Sequence, residues 1–326
     1  MNFLSKYKTR RELANEISKA VQTYMPPKKK DSYRKTKTTL TILCGIIAGD
    51  VAGSVYEGRF IPDADVRETV DLLGDKHHFT DDSVMAIAVA LAAAECRGKT
   101  IKKNIKKNNF AAYMKSFAKQ YPDVGYGANF YDWAVRDIED PGYKSWGNGS
   151  ATRAGAIGSI FDKPKDVIAY AVLSAWPTHS HELGIKGAVV TAVCVWMALH
   201  GYTKEEIVDY AKVYYLPDPE DVNRVHAGME LSLLENEISG MYTNSVACEV
   251  AVPEAIINFA YSHDFESCVR NCLRYASDAD TVMAISGGIA AAYYNEPNIR
   301  GIKVESIAEG FLTADLREKI GLKRGK

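Results

Sequence analysis

The chain has 326 residues, 47% of them hydrophobic, and its 40 basic and 41 acidic side chains give a formal net charge of −1. This suffices for a substantial core in one large or two average domains. The balanced charge sets aside a dedicated nucleic-acid binder, which carries a concentrated positive footprint.

Residues 1–37 differ in character from the rest of the chain. A short helix is predicted around Arg11 to Tyr24, followed by Pro26-Pro27 and the basic run Lys28-Lys29-Lys30, the composition of a solvated tail or linker. The segment reads as an N-terminal helical, basic extension, with one domain spanning residues 38–326. The start lacks the apolar core of a secretory signal, and the longest apolar run, Ala188 to Leu199, is too short to cross a bilayer. A cytoplasmic location without membrane contact is the expectation. Cys44, Cys96, Cys194, Cys248, Cys268 and Cys272 lie mostly in apolar stretches without zinc-type spacing, and so are expected as reduced core residues.

Beyond residue 38, helical patterning dominates, and strand patterns are few. Helices are predicted over Thr39 to Ala52, Asp82 to Arg97, Asn104 to Gln120, Lys165 to Trp176, Leu183 to Leu199, Lys204 to Tyr214, Val225 to Leu234, Val252 to Tyr261, Phe265 to Ala276 and Thr281 to Tyr294. Those around Val84 to Ala94 and Ala188 to Leu199 are apolar on nearly every face, so they belong in the middle of the domain. The expected fold class is all-α, a compact orthogonal multi-helix domain.

Chemistry-bearing segments punctuate these helices. Gly45 to Glu57 runs from a helix into a Gly-punctuated turn, where Glu57 is a candidate for proton transfer and Asp50 reads as a brace for the turn. Thr80-Asp81-Asp82-Ser83 precedes one apolar helix, and Ser277-Asp278-Ala279-Asp280-Thr281 precedes another. Helix capping alone accounts for either cluster. Together they hold more carboxylates than capping needs, and buried like charges require a cation. An all-oxygen set of this kind suits Mg²⁺ or Mn²⁺ and offers little to zinc or copper.

Tyr121 to Gly127 reads as a loop whose Tyr126 can stack on a nucleobase. Trp146 to Gly155 contains a Gly-rich turn entering a small-residue helix, with backbone amides and the Ser150 hydroxyl available to an anion. It has neither the Walker lysine nor a preceding strand, so it is neither a P-loop nor a dinucleotide fingerprint. In Thr178-His179-Ser180-His181, His179 is a candidate hydrogen-bond partner for a phosphate or catalytic group, whereas His181 reads as structural.

In this order, GDVAGSVYE (Gly49 to Glu57), FTDDS (Phe79 to Ser83), GYG (Gly125 to Gly127), GNGSATR (Gly147 to Arg153), THSH (Thr178 to His181) and SDADTVMAISGGIAAAYY (Ser277 to Tyr294) resemble the ADP-ribosylglycohydrolase family, over most of residues 40–296. The resemblance implies an all-α fold with two divalent cations, Mg²⁺ or Mn²⁺, ligated by Thr80, Asp81 and Asp82 from one side and Asp278, Asp280 and Thr281 from the other. It further implies substrate binding by Gly147, Asn148, Gly149 and Ser150, with Tyr126 and Gly127 near the adenosine and His179 near the phosphates or ribose. Glu57 matches the family's mobile acidic residue. Ser83, Thr152, Ala291 and Asn295 depart from the usual residues without removing a ligand.

The implied reaction is hydrolysis of an ADP-ribosyl bond, in which cations hold the ribose hydroxyls and acidify a water, while Glu57 or a metal-binding carboxylate such as Asp81 or Asp280 handles the proton. The expected partner is an ADP-ribosylated protein or ADP-ribose-containing small molecule, with nucleic acid entering only as an ADP-ribosylated substrate, and the chain is expected to be a monomer. Ser54 to Glu57 resembles the branch that cleaves O-linked ADP-ribose, while arginine, O-acetyl and nucleobase linkages stay open. A non-catalytic ADP-ribose reader or immunity-type protein and a two-metal nucleotide phosphohydrolase are the rivals.

Overall fold

In a computed structural model, residues 3–28, 38–59, 61, 63–107, 109–136, 142–215, 246–274 and 278–322 are described, and helices supply nearly all of their regular structure. The one sheet among them is a short antiparallel pair in which Asn298 opposes Lys303 and Ile299 opposes Ile302. The all-α expectation therefore holds.

Two apolar helices, Thr39–Gly53 and Ala279–Tyr293, run against each other through the centre. Thr38 starts the first by accepting the Thr41 amide on its side chain at 3.2 Å. Gly45, Gly49 and Gly53 recur every fourth residue and so share one face. A Cβ built on Gly45 would lie 2.3 Å from the Ala291 Cβ, one on Gly49 2.1 Å from the Met283 carbonyl oxygen, and one on Gly53 2.4 Å from the Asp280 Cα. Without side chains on that face the two backbones come into direct contact.

Helix Glu182–Leu199 packs against Ala279–Tyr293, Pro164–Ala175 and Gly149–Ala154, and helix Asp81–Cys96 meets Asn109–Gln120 and Gly149–Ala154. At 18 residues, Glu182–Leu199 is long and apolar enough to cross a membrane by length and composition, contrary to the shorter run counted from sequence. Its burial gives those residues another role. Val189, Val193 and Met197 are fully enclosed by protein, so the apolar surface is spent on the core.

The segment read as an extension docks on this core. Helix Phe3–Thr23 buries Leu13, Ile17 and Ala20, the Tyr24 ring lies 4.8 Å from that of Tyr214, and Tyr210 and Tyr202 donate their hydroxyls to the carbonyls of Tyr24 (2.9 Å) and Pro27 (2.6 Å).

Several expected boundaries shift. Of the helix expected over Asn104 to Gln120, Ile101–Lys107 and Asn109–Gln120 are described, with Asn104 donating to the Tyr170 hydroxyl at 2.7 Å and Asn109 donating to Glu95 at 3.0 Å. The helix expected over Phe265 to Ala276 stops at Asn271 and continues as a 3₁₀ turn, Cys272–Arg274. Ala64–Thr69, Ala128–Val135, Ile157–Ile160, Val304–Phe311 and Ala314–Lys319 are too short for periodicity to reveal. The helix expected over Val225 to Leu234 lies outside the described residues. All six cysteines are buried and free.

Gly53→Ala should force the central backbones apart and lower stability by about 1–3 kcal/mol. Gly310→Ala, in a helix with open space around the added methyl, should be neutral or stabilising. Denaturant unfolding of the two variants checks the difference; equal effects would contradict close apposition.

Candidate active site

The candidate site lies where the C-terminal end of helix Thr39–Gly53 meets the N-termini of Asp81–Cys96 and Ala279–Tyr293. Asp50, fully buried, organises the first acid cluster: it accepts the Thr80 amide at 2.9 Å, the Thr80 hydroxyl at 2.6 Å, the Ser83 amide at 3.1 Å and the Ser83 hydroxyl. Thr80 in turn caps the helix by accepting the Asp82 amide at 3.2 Å, and the Asp81 amide donates to the Val124 carbonyl at 2.8 Å. The brace expected of Asp50 thus acts on a segment thirty residues away.

The second cluster closes onto the first. Thr281 donates its hydroxyl to Asp82 at 2.5 Å and its amide to Asp280 at 2.9 Å, while Asn148 donates its side-chain amide to Asp278 at 2.8 Å. Carboxylate oxygens of Asp50, Asp82 and Asp280 lie within 4.8 Å of one another. The two clusters form one site, as their repetition in the sequence implies.

Such crowding is electrostatically uphill. Burial first, then the charges of Asp50 and Asp278, push the Asp81 carboxyl up to about 7. Burial, then Asp278 and Asp82, push Asp280 up to about 10. Asp82 is raised well above the usual range by burial and by Asp81, and Asp50 is raised by burial against the bonds it accepts. A divalent cation reverses this balance by favouring the ionised form. With carboxylates and threonine hydroxyls as the donors, the set fits a hard cation.

A cavity of about 450 Å³ opens over the cluster, within the range of small-molecule sites. Of the residues singled out in the sequence, Glu57, Asp81, Asp82, Asp278, Asp280 and Thr281 line one part of it, and Gly127, Gly147, Asn148, Gly149 and His179 also line it. Glu57 is exposed and follows Tyr56, whose buried ring is tied down by its hydroxyl donating to the Asp71 carbonyl.

Three candidates are absent from the lining, each for a local reason. Thr80 spends its hydroxyl on Asp50 and the helix cap. Ser150 is fully buried and donates to the Gly184 carbonyl at 2.8 Å, so its hydroxyl is not offered to an anion as expected. Tyr126 stacks on Phe130 and Tyr131, with centroids 5.3 and 6.3 Å away, while Phe130 itself lines the cavity. Within the Gly-rich turn, the Gly147 amide donates to Ser145 Oγ (3.0 Å) and the Asn148 amide to the Val246 carbonyl (2.8 Å), so neither is free for a phosphate.

Other wall residues carry no local signature in the sequence. Tyr143, Ser145 and Val246 line the cavity from segments that no motif singles out. Arg153 is the one arginine or lysine among the described lining residues, and a charge set in the small-residue run GSATRAG was the available clue. His181 caps helix Glu182–Leu199 by accepting the Leu183 amide, in keeping with a structural role.

The sequence pattern of the ADP-ribosylglycohydrolase family matches residues 31–321. Among curated proteins, ADP-ribosylhydrolase ARH3 of Homo sapiens is 26% identical, with 84% of this chain and 90% of that protein covered, and ARH3 of Bos taurus is 27% identical, with 77% and 83% covered. A solved structure described as an ADP-ribosylglycohydrolase-related protein complex superimposes with a TM-score of 0.61 at 22% identity, covering 87% of this chain and 94% of that one, which supports the helical fold. With the family pattern spanning nearly all of the domain and the acid clusters meeting in its cavity, this chain belongs to the ADP-ribosylglycohydrolase family.

Proposed function

We propose that the protein hydrolyses the glycosidic bond between ADP-ribose and an acceptor, a protein side chain or small molecule, and releases intact ADP-ribose with the aid of two divalent cations, Mg²⁺ or Mn²⁺. The observation that carries this reading is the meeting of Asp82 and Asp280 beneath a cavity that also holds the Gly147–Gly149 turn and His179. The name of the ARH3 relatives, ADP-ribosylhydrolase, supports the same chemistry.

Asp81, Asp82, Asp278 and Asp280, with the Thr281 hydroxyl, are the residues that would hold the cations, while Thr80, its hydroxyl engaged by Asp50 and the helix cap, braces them from outside the cavity. Bound there, the cations would supply positive charge able to orient ribose hydroxyls and acidify a water. Asp50 and Asn148 keep the acid clusters oriented through their hydrogen bonds. Glu57, exposed at the cavity, accepts a proton from water or gives one to the leaving atom. An alkoxide leaving group needs that proton; a guanidine departs neutral without it.

Mass analysis after incubation with arginine-, serine- and nucleic-acid-linked ADP-ribose, plus Mg²⁺ or Mn²⁺, should find intact ADP-ribose. AMP or phosphate as the product would instead identify a phosphohydrolase, and binding without release would identify a reader. The Asp278→Asn/Asp280→Asn variant should lose about a hundredfold of the activity or more, and Asp50→Asn about ten- to a hundredfold in activity or metal affinity.

Stability should report the same cluster. Carboxyls raised in the folded state bind protons more tightly than in the unfolded chain. Without divalent cation, their contribution to stability therefore falls as pH rises from the ordinary range near 3.8 through about 7 for Asp81 and toward about 10 for Asp280. Adding Mg²⁺ or Mn²⁺ should raise Tm more above about pH 7 than near pH 5. A thermal shift that is equal at both, or absent, would count against cation binding at these aspartates.

A further inference from the structure

His179 lies against the Gly-rich turn on the cavity wall. A Cβ built on Gly147 would lie 3.6 Å from its Nε2, and one on Gly149 3.8 Å from it. The other ring nitrogen, Nδ1, is enclosed by donors: Thr178 Oγ1 is 2.8 Å away and Arg153 Nη2 is 3.4 Å away. The same Nη2 donates to Thr178 Oγ1 at 2.7 Å and to the Ser174 carbonyl at 3.1 Å. All three side chains are buried, with Arg153 1%, Thr178 0% and His179 6% exposed.

The protons on these groups are constrained. A guanidinium donates and never accepts, so the Thr178 oxygen receives an Arg153 proton, its own hydroxyl hydrogen is available to Nδ1, and a proton on Nδ1 would instead face the Arg153 donor that lies within reach of that nitrogen. Nη2 shares two protons among three acceptors, which makes its Nδ1 contact the longest and leaves Thr178 as the closer donor. With donors on that side, Nδ1 accepts, and the ring proton sits on Nε2 beside the turn.

We infer that Arg153 and Thr178 are positioning residues that lock His179 as a neutral Nε2–H donor for an anionic oxygen of the substrate diphosphate. The nature of that anion rests on the function proposed above; the tautomer does not. Burial and the adjacent guanidinium hold the His179 ring well below its ordinary pKa, in keeping with a neutral donor. Burial lowers the Arg153 guanidinium only to about 10, so it remains cationic near neutrality. Arg153 thus supplies the fixed positive charge, and His179 supplies direction.

The test begins with the ligand-free wild-type protein. Nitrogen-15 NMR of labelled histidine should show His179 Nδ1 unprotonated and Nε2 protonated; a proton on Nδ1 overturns the inference. Added ADP-ribose should shift the Nε2–H resonance, and an unmoved resonance counts against its role as donor. His179→Ala should weaken ADP-ribose binding about tenfold or more, and His179→Gln, which keeps an N–H, should lose less. Thr178→Val should mix the tautomers and raise KM more than it lowers kcat, and Thr178→Ser should restore both. If Thr178→Val does not fold, the wild-type spectrum and the His179 pair decide. Absence of cleavage of every linkage together with an Nε2–H tautomer would sink the proposed reaction and leave the lock standing; cleavage with Nδ1–H would do the reverse.

Discussion

Mutual repulsion among Asp50, Asp81, Asp82, Asp278 and Asp280, gathered where helix ends meet, is the constraint around which this fold is arranged. Burial raises the proton affinity of Asp50, Asp81, Asp82 and Asp280, and for the last three a neighbouring aspartate is the next cause. Two kinds of group lessen the cost. Threonine, serine and asparagine donors occupy some of the carboxylate oxygens, as with Thr80 and Ser83 on Asp50, Thr281 on Asp82 and Asn148 on Asp278. Helix N-termini at Asp81 and Asp278 contribute favourable dipoles. The one full positive charge in the described lining, Arg153, lowers Asp81 only as a lesser cause behind the burial and repulsion that raise it, so a cation is the natural complement.

The spacing of these charges depends on packing far from them. Because Gly45, Gly49 and Gly53 let helix Thr39–Gly53 lie directly on Ala279–Tyr293, Gly53 meets the Asp280 backbone less than one turn beyond the buried Asp50. Larger side chains on this face would separate the helices, and the carboxylates with them. The small-residue pattern therefore serves core and site through one contact.

This division explains what the sequence disclosed. The clusters at Thr80–Ser83 and Asp278–Thr281 are legible because capping chemistry is local, and apolar runs such as Val84 to Ala94 announce central helices. Their convergence was suggested by the surplus of carboxylates in two repeated clusters, and the family resemblance agreed with it, although periodicity carries no information about which helix ends meet. Where side chains had tertiary alternatives, local reading failed: Ser150 turned to the Gly184 carbonyl, Tyr126 stacked on Phe130, and the Asn148 amide went to Val246.

The cavity brings carboxylates and donors side by side. Its carboxylates gather around Asp82 and Asp280, and the Gly147–Gly149 turn, with the His179 ring against it, joins them through Asn148, which donates to Asp278. On the proposed function, ribose hydroxyls would meet the carboxylates through a cation, and the diphosphate would meet the His179 donor beside them. The reversed ligand would set phosphate against aspartates, at a cost that grows as water leaves the cavity. On that reading, fixed charge would set the ligand's orientation, and Glu57, an exposed carboxylate of the lining, would be left to meet the acceptor.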